Sequence, residues 1–85
     1  MLHFTISLKT SFGNADFIFD PIFTGEGVRY HVSVRDESGR SIFFDMALKD
    51  KEWHIINAPK VPDWTMCLQT ELSEAITEHH PFDQD

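Results

Sequence analysis

Apolar and polar residues alternate strictly at the start of the chain, with Leu2, Phe4, Ile6 and Leu8 separated by His3, Thr5, Ser7 and Lys9. A period of two predicts a strand over about 2–9 with one buried face. Ser11 to Asn14 includes Gly13 and reads as a turn. A second strand is expected over about 15–20 and should end at Pro21, because proline cannot donate to a sheet ladder. Residues 22–27 hold Gly25 and Gly27 and read as an irregular loop. Alternation returns with Val28, Tyr30, Val32 and Val34 against Arg29, His31, Ser33 and Arg35, giving a strand over about 28–36. "DESGR" follows as a turn of residues that tolerate bends and positive φ. The return strand, about 41–48, points Ile42, Phe44, Met46 and Leu48 at the core, and a polar tip leads into a short fifth strand over about 52–57.

After Pro59 the period changes. Trp64, Leu68, Leu72, Ala75, Ile76 and His79 recur at spacings of three and four, which predicts one helix over about 63–79. Pro62 suits its start, Asp63 is an N-cap or a first-turn acid, and Pro81 stops it before a patternless tail at 80–85. One apolar helix stripe and one apolar sheet face complete each other. The expected fold is α+β: an antiparallel β-meander of four to five strands with one C-terminal helix packed across one face.

Composition adds bounds to this picture. A chain of 85 residues has room for one small domain, and 41% apolar residues with eight phenylalanines supply a core without a metal or disulfide staple. Pairing with a second copy is a common source of extra burial at this size. Cys67 has no cysteine partner within the chain, which fits a reducing compartment. The first residues lack the basic start and apolar run of a secretory signal, and no apolar stretch approaches roughly 18 residues. A cytoplasmic location with no membrane partner is the expectation. The net charge is −7, all seven Lys and Arg lie at or before Lys60, and residues 61–85 hold six acids. A negative helix repels phosphate backbones, which argues against nucleic acid as a partner.

Chemical motifs are sparse. His3, His31, His54, His79 and His80 show no H-x-x-x-H spacing, and no C-x-x-C is present. Cys67 sits beside Leu68 and reads as a small buried hydrophobe rather than a nucleophile. Gly25 and Gly27 are isolated and form no phosphate loop, and Asp45 has no nameable carboxylate partner. No catalytic, cofactor-binding or metal-ligating residue is assigned, and the chain is not read as an enzyme.

The informative oddity is on the sheet. If Phe44 points into the core, Phe43 points out, and Ile18 must oppose Phe17 and Phe19. Phe43, Ile18, Ile56 and Phe17 are therefore the possible interface. The leading expectation is a non-enzymatic interaction or structural module, a homodimer that buries apolar surface on the helix-free side or along an edge strand, with another protein as the other partner considered. The alternative is an acidic inhibitor or immunity-type protein that docks on a basic partner through Glu71, Glu74 and Glu78. A single-stranded nucleic-acid module stacking bases on sheet aromatics, or a small enzyme, ranks below both. Trp53 and Trp64 flank the proline hinge, and both indoles are expected to seal the same end of the core.

Overall fold

A computed structural model of the chain describes residues 3–56 and 61–79. Among these residues, five strands follow in order: β1 (Phe4–Thr10), β2 (Gly13–Thr24), β3 (Gly27–Arg35), β4 (Ser41–Lys49) and β5 (Glu52–Ile56). Two helices follow, α1 (Asp63–Met66) and α2 (Gln69–His79). The strands form one antiparallel sheet in sequence order, β1-β2-β3-β4-β5, and the helices pack on one of its faces. The α+β meander is therefore the observed fold. The expectations for Leu2, Asn57, Pro59 and the 80–85 tail lie outside the described residues.

Short turns set the register. The first two hairpins share one device, Thr-x-x-Gly, at Thr10–Gly13 and Thr24–Gly27. In each, the threonine hydroxyl accepts from the amide two residues on, Phe12 or Glu26, and donates to the glycine carbonyl. Gly13 and Gly27 have φ of 118° and 129°, a region that glycine enters without steric cost. This second turn corrects the sequence reading: residues 22–24 are strand, and β2 runs on through Pro21 to Thr24. Counting back from the closing pair Thr24↔Gly27, alternation makes Pro21↔Tyr30 a non-hydrogen-bonded pair. The proline nitrogen then faces away from β3, so no bond of that ladder is lost.

The β3–β4 turn is closed by a carboxylate. Asp36 Oδ1 accepts from Ser38 N (2.9 Å), Ser38 Oγ (2.7 Å) and Arg40 N (2.9 Å). The Ser38 side-chain hydrogen bond, followed by the Arg40 amide, holds this carboxyl below its ordinary value of 3.8. A depressed carboxyl contributes stability above its unfolded value and loses it as pH falls through the folded one. Asp36→Asn should therefore lower thermal stability at neutral pH, and the gap from wild type should close as the pH falls below 3.8 in a thermal-melt series.

Side-chain alternation sorts the sheet into two faces. Ala15, Phe17, Phe19, Tyr30, Val32, Val34, Phe44, Met46 and Trp53 are buried beneath Leu72 and Ile76 of α2. Phe4 stacks between Phe19 (4.6 Å) and His79 (4.2 Å), so the end of α2 lies over β1. At its other end α2 reaches β5, where Gln69 Oε1 accepts from Ile55 N and Ser73 Oγ from Trp53 N, each at 2.9 Å. The helix thus crosses the sheet from one edge to the other.

Four further expectations change. The helix is not continuous, because it breaks at Cys67 and Leu68. Trp64 packs edge-on against Phe12 and Phe17 near the β1–β2 turn, while α2 starts beside β5, and one straight helix cannot serve both sites. The break leaves Cys67 exposed rather than buried. The indoles occupy opposite ends of the core: Trp53 meets Tyr30 near the β4–β5 turn, far from Trp64. Leu48, expected inside, lies on the core side of the sheet opposite Trp53 but is 43% exposed.

Candidate functional site

The helix-free face is built from the alternate residues of all five strands. Register aligns Thr5, Ile18, Ser33 and Phe43 in one row and Asp20, His31, Asp45 and Ile56 in the next. A third row holds Ile22, Arg29, Ala47 and His54. Phe43 is 57% exposed, Ile18 40% and Ile22 39%, whereas Ile56 is half-buried.

The centre of this face is ordered by one histidine. His31 Nδ1 lies 2.9 Å from Asp45 Oδ1, and its ring stacks on Phe43 with centroids 5.7 Å apart and planes 14° from parallel. Cross-strand pairing places both contacts: Asp45 is directly opposite His31, and Phe43 is its diagonal neighbour. The stack fixes the Phe43 ring upright on the sheet, so its outer surface is presented rather than folded away. A concave surface of about 690 Å³ opens beside it, bounded by Phe12, Asp16, Ile18, Arg35, Glu37 and Phe43.

Phe17 does not belong to this face. It is fully buried, because it shares parity with Ala15 and Phe19 while Ile18 shares parity with Asn14, Asp16 and Asp20. Phe43, Ile18 and Ile56 are brought together on the outer face, and Ile22 joins them from a segment that reads as loop in the sequence. The repeated Thr-x-x-Gly device is the signal that identifies Ile22 as strand.

The acidic set lies elsewhere. Glu71, Glu74 and Glu78 are all exposed on α2. Glu74 and Glu78 line a groove of about 380 Å³ between α2 and β5, together with Lys51 and Glu52. Among the described residues no group of three or more His, Cys, Asp or Glu is placed to hold a metal ion, and no helix is long and apolar enough to cross a membrane. Burial holds the Tyr30 hydroxyl above its ordinary value of 10.0, as suits a core residue. Comparison with protein-family models, curated proteins and solved structures finds no match.

Proposed function

We propose that this chain is a non-enzymatic interaction module that pairs with a second copy through the helix-free face, with Phe43 at the centre of the contact. The observation that carries the reading is the charge balance of that face. Alternation puts Lys9, Arg29, Arg35 and Lys49 on it against Asp16, Asp20, Asp45 and Glu52, four cations to four carboxylates, in a chain whose net charge is −7. Two copies repel through most of their surface, and a face with no net charge lets them meet. Mixed signs around an apolar centre also suit a two-fold contact, in which the same patch faces itself. Five strands at about 4.8 Å spacing and about eight residues of about 3.4 Å give a face about 24 by 27 Å. That is of the size class of a standard interface, which takes about 800 Å² from each partner.

Phe43→Asp tests this directly. The side chain is exposed, so the fold should survive by circular dichroism, while association through this face should weaken by about 100-fold or more, the scale of a central aromatic anchor. Sedimentation at micromolar concentration reads the outcome. A wild-type chain that stays monomeric there rules the reading out. Reversing Glu74 and Glu78 to lysine should leave pairing intact; loss of pairing there transfers the contact to the acidic helix.

A further inference from the structure

The two edges of the sheet are treated differently. On β5 the outward amides of Trp53 and Ile55 are taken by Ser73 and Gln69, two residues apart on the strand and four apart on the helix. A strand advances about 6.8 Å in two residues and a helix about 6 Å in four, so one helical turn closes two edge donors. No such cover lies on β1 among the described residues. Alternation from the closing pair Thr10↔Gly13 turns the amides of Phe4, Ile6, Leu8 and Thr10 toward β2, and those of Thr5, Ser7 and Lys9 outward.

We propose that β1 is a second contact surface, which pairs antiparallel with β1 of another copy to extend the sheet across two chains. The contact is independent of the helix-free face. Charge selects the occupant: β1 (FTISLKT) carries no carboxylate, whereas the chain holds fourteen acids and a net charge of −7. Of the two edge strands it is the one along which copies approach without opposing acids, since β5 carries Glu52. The register that engages all three outward amides is centred on Ser7. It sets Lys9 opposite Thr5 of the other copy, so the cations do not oppose each other. On the opposite face it lays Ile6 against Leu8 of the other copy. Phe4, Ile6 and Leu8 are half-buried along this edge and already packed on the core, so the second strand completes their burial. Unguarded edges are where chains pair, and flexible entry is not required because β1 is already extended.

The register supplies a charge-swap test. Ser7 is exposed and its amide is outside the β1–β2 ladder, so Ser7→Lys and Ser7→Asp leave that ladder intact. Each variant alone places like charges face to face at the two-fold centre, and a mixture places opposite ones there. Amide hydrogen exchange is followed in the Phe43→Asp background, which removes pairing through the other face. Protection of Thr5, Ser7 and Lys9 should rise with protein concentration. It should vanish in either Ser7 variant alone and return on mixing the two. Protection that is independent of concentration, or unchanged in both single variants, or lost in both and not restored by mixing, overturns the proposal. Loss of that protection through Phe43→Asp alone also overturns it, because the edge would then have no contact of its own.

Discussion

Trp53→Ala should cost about 3–5 kcal/mol, the usual range for removing a fully buried large aromatic. That is a large share of the about 5–15 kcal/mol that holds a small domain together. Trp53 is completely buried, and its ring meets Tyr30 edge-on with centroids 5.3 Å apart. Tyr30 in turn packs edge-on against Phe4 and Phe19, so the indole supports an aromatic chain that reaches from β5 to β1. The cavity left by alanine has little means of collapse, because its walls are a sheet fixed by hydrogen bonds and the Leu72–Ile76 face of α2. Trp64→Ala should cost less, since Trp64 is only half-buried and rests on Phe12 and Phe17 at the core's margin. Urea titrations of both variants measure the difference. Equal losses would mean that α1 is as integral to the core as β5, contrary to the exposure of its ring.

Sheet parity was readable wherever polar residues marked one face without interruption. Arg29, His31, Ser33 and Arg35 sort β3 correctly, and His3, Thr5, Ser7 and Lys9 do the same for β1. Phe17 reads as an interface residue in the sequence because Phe17, Ile18 and Phe19 are all apolar. Asn14, Asp16 and Asp20 carry the parity that resolves it, and they place Ile18 outside. Pro21 misled for a different reason. A proline forbids one hydrogen bond, and whether that bond belongs to the ladder depends on a register that only the Thr24–Gly27 turn defines. The helix break was not legible, because the three-and-four spacing of apolar residues continues across Cys67 and Leu68. What interrupts the helix is the separation of two docking sites on the sheet, which exists only once the strands are assembled. The His31–Asp45–Phe43 group was hidden likewise: His31 on β3 lies 12 and 14 residues from Phe43 and Asp45 on β4, and register alone joins them.

The Gln69→Ala, Ser73→Ala double variant should lose about 2–4 kcal/mol, since each side chain satisfies a part-buried backbone donor whose exposure costs about 1–3 kcal/mol. The two positions act on one element, so their effects should not simply add. Gln69 also approaches His54 Nδ1 at 3.4 Å, which ties the helix to the far side of β5. Loss of these bonds leaves Leu72 and Ile76 in the core, so α2 should stay docked while β5 frays. Hydrogen exchange separates those events: the amides of Trp53 and Ile55 should exchange much faster, and those of β2 and β3 should change only with the global stability. A second consequence follows from the edge itself. With β5 unguarded the sheet has two open edges, and a chain open at both can add copies without limit, whereas one open edge closes on a single partner. In the Phe43→Asp background, where the helix-free face no longer pairs, light scattering on the double variant should therefore show growth beyond a pair. Adding Ser7→Lys on β1 should suppress that growth by taking away one of the two edges.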